Sequence, residues 1–131
     1  MFIFQNKTVL VTGHTGFKGS WLCTWLNHLG ASVVGISDDE VSTPSNFLVS
    51  SVSGFVKDYR VDIRDTNKVQ LIIKEAQPDF VFHMAAQALV GASYDNPLET
   101  LTINSIGTAN VLEALRVLNK KVVAIMITSD K

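Results

Sequence analysis

Two groups of residues carry types and spacings that could do chemistry. The first is Gly13-x-x-Gly16-x-x-Gly19, set between a β-branched run and an apolar-periodic segment. At a strand-to-helix junction each glycine has a task. The first lets the chain turn off the strand, the second lets backbone approach a pyrophosphate without a Cβ in the way, and the third lets the helix pack close to the sheet. Amides at a helix start point at phosphates, and the helix dipole favours their charge. A nucleoside-triphosphate loop would end in Gly-Lys-Ser/Thr, whereas the order here is Lys18-Gly19-Ser20, so a dinucleotide pyrophosphate fits better. The second is Ser129-Asp130-Lys131, a hydroxyl, a carboxylate and an amine in succession, which taken alone reads as a polar loop after a strand.

Other residues refine the choice of ligand. Ser37, Asp38, Asp39 and Glu40 follow the second predicted strand, with no Arg or Lys adjacent in the chain. A carboxylate there accepts from a ribose 2′-hydroxyl and repels a 2′-phosphate, favouring NAD over NADP; each acid equally fits a solvated loop. Asp62-Ile63, after the third strand, is a candidate for the adenine edge, or an exposed Asp. Lys18 either approaches a cofactor phosphate or lies in solvent. His83 reads as a hydrogen-bonded packing residue and Cys23 as a small core residue. No Cys/His/Asp group has metal-ligand spacing, so no metal is expected.

These residues need elements to position them. Strands are expected over 7–12, 31–36, 54–61, 79–83 and 121–128, the last apolar enough to be buried on both faces. Phe17, Trp21, Leu22, Trp25, Leu26 and Leu29 recur at a period of about 3.6 and predict the inward face of a helix that Gly30 stops. The polar stretch 37–54 reads as a loop with a short turn near 45–49. Asp65 or Thr66 caps a helix with Val69, Ile72, Ile73 and Ala76 inward, ended by Pro78. Asn96-Pro97-Leu98-Glu99 starts another, Glu99 reaching back to the cap amide; it runs to about residue 118 with Leu98, Leu101, Ile106, Ala109, Leu112 and Leu115 inward. Alternating strands and helices predict an α/β fold over 1–131, a doubly wound parallel (Rossmann) sheet of order 3-2-1-4-5, with its ligand beyond the ends of strands 1 and 4.

Composition fits one globular domain: 131 residues, 47% hydrophobic, 18% charged. A net charge of −1 advertises no nucleic-acid or anionic-membrane partner, and no apolar run approaches a membrane span. One cysteine and no secretory leader fit a reducing, cytoplasmic setting.

The run Val11-Thr12-Gly13-His14-Thr15-Gly16-Phe17-Lys18-Gly19-Ser20-Trp21-Leu22 resembles the opening of the extended short-chain dehydrogenase/reductase enzymes that act on nucleotide sugars, and within them the CDP-glucose 4,6-dehydratase branch. Phe82-His83-Met84-Ala85-Ala86-Gln87 resembles the segment lying along the cofactor, Asn96–Thr100 with Asn104–Thr108 the following helix, and Thr128–Lys131 the end of strand 5. The resemblance implies bound NAD and a nucleotide-sugar substrate. Hydride leaves C4, the 4-ketone acidifies C5, water is lost across C5 and C6, and hydride returns to C6. It implies cofactor contacts at Gly13, Thr15, Gly16, Phe17, Gly19, Ser37, Asp38, Asp62, Ile63, Ala85, Ala86 and Gln87. Asn104 would support the site or be a plain helical Asn. Ser129 matches the hydroxyl that bonds the sugar 4-oxygen, and Asp130 the acid that helps the 6-hydroxyl leave. Lys131 stands where related dehydratases carry Glu, either as base or only orienting groups.

One feature of the superfamily is missing. Its Tyr-x-x-x-Lys pair has no match, since Tyr59 is followed four residues later by Ile63 and Tyr94 by Leu98. The chain therefore reads as an N-terminal portion that would not catalyse dehydration alone, and whose strand 5 edge would promote homo-oligomers. The competing readings are another sugar-nucleotide epimerase or dehydratase, and a non-catalytic NAD-binding module.

Overall fold

The structure is a computed structural model that describes residues 3–40 and 42–128. Its centre is a parallel five-stranded sheet made of Thr8–Thr12 (β1), Ser32–Ser37 (β2), Val56–Arg60 (β3), Phe80–His83 (β4) and Val123–Met126 (β5). The strand order is β3-β2-β1-β4-β5, as expected from the alternation of elements. Leu10 sits between Val34 and Val81, and Thr12 between Ile36 and His83, so β1 and β4 end side by side at the switch point.

Alternation along β1 divides the core into two layers. Val9 and Val11 pack with Cys23 and Leu26 of Phe17–His28 (α1) and Phe47 of Asn46–Val49 (α2). Leu10 points the other way, onto Val69, Ile72 and Ile73 of Thr66–Ala76 (α3) and Val111 and Ala114 of Thr108–Arg116 (α6). Each such fully buried aliphatic side chain contributes roughly 1.5–3 kcal/mol. Local signals hold where they were clear. Gly30 turns the chain after α1 at φ +82°, and the Asp65 side chain accepts from Lys68 N to cap α3. Burial raises the Cys23 thiol to about 12, as befits an inert core residue.

Three expectations about packing are corrected. In α1 the buried residues are Gly19, Ser20, Cys23 and Leu26, whereas Phe17, Trp21 and Trp25 are exposed. Small side chains let the helix sit close to the sheet, and the aromatic rings are too bulky for that gap. The long helix after Asn96 is broken into Pro97–Leu101 (α5), a π-helical turn at Thr102–Gly107 and α6, with Val90–Asp95 (α4) before it. A π turn adds a residue, so a uniform 3.6 period loses phase there. Gly107, Asn110, Val111 and Ala114 are buried, while Leu98, Leu101, Ile106, Ala109 and Leu112 are exposed and Leu115 only partly buried. Strand β5, expected to be buried on both faces, has Val123 and Ala124 exposed at the edge of the described sheet. Glu99 also differs: it accepts from the Asn96 side-chain amide, because the Asn96 backbone N–H already closes α4 on Ala92 O.

Candidate functional site

A cleft of about 420 Å3 opens beyond the ends of β1, β2 and β4. Gly13, Thr15 and Gly16 line its floor, Ser37, Asp38 and Asp39 one end, and Ala85, Ala86 and Gln87 the opposite wall, with Asp62, Ile63 and Arg64 between.

The glycines have different reasons to be glycine. Gly13 has φ +74°, and a Cβ there would lie 2.9 Å from Ala85 N. A Cβ on Gly19 would lie 2.1 Å from Gly13 O, so this glycine is required by the loop folded over it rather than by helix-to-sheet contact. On Gly16 a Cβ would meet nothing nearer than Gly13 O at 3.4 Å. The protein thus leaves Gly16 bare without needing to. Gly16 is also the N-cap of α1, which has neither a side-chain cap nor an acidic residue in its first turn. In contrast, Asp65 and Asn96 cap α3 and α5. An uncapped helix start beside a bare backbone offers amide donors and the positive end of the helix dipole to an anion. This donor set fits the pyrophosphate of a dinucleotide.

Hydrogen bonds fix the walls. Thr12 Oγ1 accepts from Met84 N (3.0 Å) and Ala85 N (3.1 Å), so its own proton goes to His83 Nδ1 at 2.7 Å. His83 then carries its proton on Nε2 and donates to Thr108 Oγ1 (2.9 Å), which donates to Asn104 O (2.6 Å). Burial keeps the His83 ring below the ordinary histidine range, in keeping with this neutral tautomer. Asn104, inside the π turn, grips the loop after β4 like a peptide partner. Its Oδ1 accepts from Gln87 N (2.8 Å) and its Nδ2 donates to Gln87 O (3.0 Å). The Gln87 side chain is engaged with Leu89 of its own loop and with Thr100 of α5. At the β2 end Thr15 Oγ1 donates to Asp39 O (3.1 Å) and therefore accepts from the Ser37 hydroxyl (2.7 Å).

The structure adds residues that the spacing did not single out. His14, wholly buried, lies flat on Gly35, where a Cβ would come within 2.4 Å of its ring. Its Nε2 lies 2.8 Å from Asp58 Oδ1, while its buried Nδ1 has no hydrogen-bond partner among the described residues. Burial lowers its pKa, outweighing the Asp58 carboxylate beside it. A buried polar residue inside a glycine loop, with a glycine on the neighbouring strand, was the available signal. Two arginines also reach the rim, although none adjoins the acidic run in sequence. Arg60 Nε donates to both Asp58 oxygens (2.8 and 2.9 Å) and its Nη2 to Glu40 Oε1 (2.7 Å). Arg64 is clamped by Asp62 and lies 3.8 Å from Glu99, and its guanidinium holds the Asp62 carboxyl below the usual range.

The remaining candidates sort as follows. Ile63 packs against Gly107 and gives its carbonyl to Asn110 Nδ2 (3.0 Å). The Phe17 side chain and Lys18 do not line the cleft. They border a separate apolar pocket of about 660 Å3 with Trp21, Trp25, Phe82 and Met84. Any contact by Phe17 within the cleft falls to its backbone. Ser129, Asp130 and Lys131 lie outside the described residues.

Comparison with known proteins agrees with this geometry. The profile described as GDP-mannose 4,6 dehydratase matches residues 10–131. This chain belongs to that family. It is 44% identical over 128 residues to CDP-glucose 4,6-dehydratase of Salmonella typhimurium, covering 98% of this chain and 36% of that protein. The UDP-glucose-4-epimerase of Stenotrophomonas maltophila, solved with bound NAD and formylated UDP-arabinopyranose, superposes with a TM-score of 0.83 at 27% identity, over 95% of this chain and 38% of that one. The Thermus thermophilus UDP-glucose 4-epimerase, solved as an NAD complex, gives a TM-score of 0.74 at 35% identity, over 83% and 33%. The family thus joins sugar-nucleotide dehydratases and epimerases of Rossmann architecture. The chain spans about a third of the length of the curated relatives it matches. Among the described residues no helix is long and apolar enough to cross a membrane.

Proposed function

We propose that this chain is the NAD-holding portion of a nucleotide-sugar 4,6-dehydratase acting on CDP-glucose, a cytoplasmic lyase that works as a homo-oligomer. The observation that carries the reading is the uncapped start of α1 beside bare Gly16, with Asp38 and Asp39, which enter no ion pair among the described residues, at the far end of the same cleft. The 44% identity to a CDP-glucose 4,6-dehydratase supports the choice of reaction and sugar nucleotide.

In this reading Gly13, Gly16 and the first amides of α1, including those of Phe17 and Lys18, hold the pyrophosphate. Gly19 keeps the loop folded, and Thr15 holds Ser37 at the β2 end. Asp38 accepts from the adenosine ribose. Asp62 and Ile63 border the adenine, with Asp62 kept ionised by Arg64. Ala85, Ala86 and the Gln87 backbone form the nicotinamide wall, which Asn104 fixes from behind. NAD bound there supplies a hydride acceptor that returns its hydride within the same turnover. Ser129 donates to the sugar 4-oxygen, Asp130 protonates the departing 6-hydroxyl, and Lys131 either takes the C5 proton or orients its neighbours. The 131 residues contain no Tyr-x-x-x-Lys pair to take the proton from the 4-hydroxyl, so the chain alone does not turn over.

Mass spectrometry of nucleotide released from the purified chain by denaturation tests the first part, with NAD expected and NADP or nothing contradicting it. A CDP-glucose assay tests the second: no product is expected from the chain itself, and 4-keto-6-deoxy product from it would overturn that claim.

A further inference from the structure

Two cations stand at the acidic rim of the cleft, and both are already occupied. Arg60 ends β3 directly opposite Ser37 of β2, and its Nη1 comes within 3.5 Å of Asp38 O. A guanidinium in that place, left to itself, would be a receptor for a ribose 2′-phosphate, since its planar fork matches phosphate oxygens. Here Nε is held by Asp58, Nη2 by Glu40, and the guanidinium carbon lies 4.9 Å from the centre of the Phe47 ring. Arg64, the cation that lines the cleft itself, is likewise held by Asp62. Asp38 and Asp39 enter no ion pair among the described residues, so the rim offers negative charge only.

The carboxylates on Arg60 are not equivalent. Asp58 also holds His14, the buried second residue of the glycine loop, so it cannot be altered without loosening that loop. Glu40 makes its one side-chain ion pair among the described residues with Arg60, and this contact holds its carboxyl below the usual range. Among the described residues its side chain bonds no other residue than Arg60, at Nη2.

We infer that Glu40 sets the choice between NAD and NADP by keeping Arg60 turned away from a 2′-phosphate, an inference that rests on the NAD site proposed above. Glu40 is a positioning residue that acts through Arg60, distinct from the direct repulsion of a 2′-phosphate by Asp38. Replacing the Glu40 carboxylate by a neutral amide weakens the charge-assisted hold on Nη2, so that a 2′-phosphate can compete for it, while Asp58 continues to hold Nε and the loop stays supported.

Calorimetric titration with NAD and with NADP tests this on the wild-type chain, Glu40→Gln and Glu40→Gln/Arg60→Gln. Wild type is expected to favour NAD. Glu40→Gln is expected to tighten NADP about tenfold, the range of one charge-assisted contact, with NAD affinity within about twofold. The double variant is expected to lose the gain. An unchanged NADP/NAD ratio in Glu40→Gln, beside normal NAD binding, overturns the inference and leaves the NAD site standing. A gain that survives in the double variant also overturns it, because the effect would then be general charge removal rather than a freed Arg60. A folded wild type that binds neither nucleotide removes the site and this inference together.

Discussion

Two hollows flank the start of α1, and they differ in nearly every respect. The pocket bordered by Phe17, Trp21, Trp25, Phe82 and Met84 is the larger, at about 660 Å3, and aromatic and aliphatic side chains dominate its wall. The cleft on the other side is about 420 Å3, and named hydrogen bonds fix much of its wall: Thr12 to His83, Met84 and Ala85, Asn104 to Gln87, and Thr15 to Ser37 and Asp39. In the proposed function the smaller hollow holds the ligand, and what suits it is its pre-organised wall rather than its size, because groups fixed by the fold need not be ordered when a ligand arrives. What the cleft leaves open is the donor set of the uncapped helix start and the carboxylates of Asp38 and Asp39.

The contrast can be broken by making the cleft lose its shape. Gly19→Ala puts a Cβ 2.1 Å from Gly13 O, a backbone atom that cannot swing aside. A loss of about 3 kcal/mol, the upper end for overpacking, is expected in urea unfolding; near-normal stability would show that the loop yields to the added methyl. Thr12→Val comes next. It keeps the side-chain shape but strands the part-buried Ala85 amide and the buried His83 ring nitrogen, while Met84 N keeps its bond to Thr12 O. A loss of about 2 kcal/mol is expected in the same measurement.

Acid should act on the same wall. Burial is the leading cause lowering the pKa of both His14 and His83, so the folded state holds their protons less well than the unfolded chain. Unfolded histidine titrates near 6.5, and between that value and the lower folded values the unfolded chain binds more protons. The stability these rings contribute is thus complete above about pH 6.5 and is lost as pH falls below it. Thermal melts from pH 7.5 downward are expected to show a falling midpoint beginning near pH 6. The decline should flatten in His83→Gln if that ring carries part of it; a midpoint level to pH 5 would contradict the neutral-tautomer network.

The smallest effect is expected in the other hollow. Trp25 is 65% exposed on α1, so Trp25→Ser should change stability by no more than about 0.5 kcal/mol. Cofactor affinity should not change at all. A Trp25→Ser chain that binds NAD poorly would mean the apolar pocket and the cleft are coupled.

The sequence displayed the architecture better than the packing. β-Branched runs ending at turns, Gly30, Asp65 and Asn96 mark the elements and two of the caps by short-range chemistry alone, and their order implies the sheet. The inward faces of α1 and α5–α6 do not follow from periodicity, which ranks residues by hydrophobicity, whereas close packing selects small ones: Ser20 and Cys23 in α1, with Gly19 under the loop, and Gly107 and Ala114 in the π turn and α6. The π turn itself leaves no period to detect. At the site, the glycine loop and the acidic run after β2 were visible because they are contiguous. The His14–Asp58–Arg60–Glu40 chain was not, since its members come from the loop, β3 and the segment after β2, and meet only once the strands are paired.

The central claim is that the bare backbone at Gly16, beside an uncapped helix, is a dinucleotide pyrophosphate seat. Isothermal titration of NAD into the wild-type chain and into Gly16→Ala tests it most directly. The new methyl meets only Gly13 O at 3.4 Å, so folding should be preserved, with urea stability within about 0.5 kcal/mol of wild type. The account predicts saturable one-to-one binding by the wild-type chain and a loss of at least about tenfold in Gly16→Ala, equivalent to about 1.4 kcal/mol. A folded Gly16→Ala chain that binds NAD as tightly as wild type, or a folded wild-type chain that does not bind it, would contradict the account.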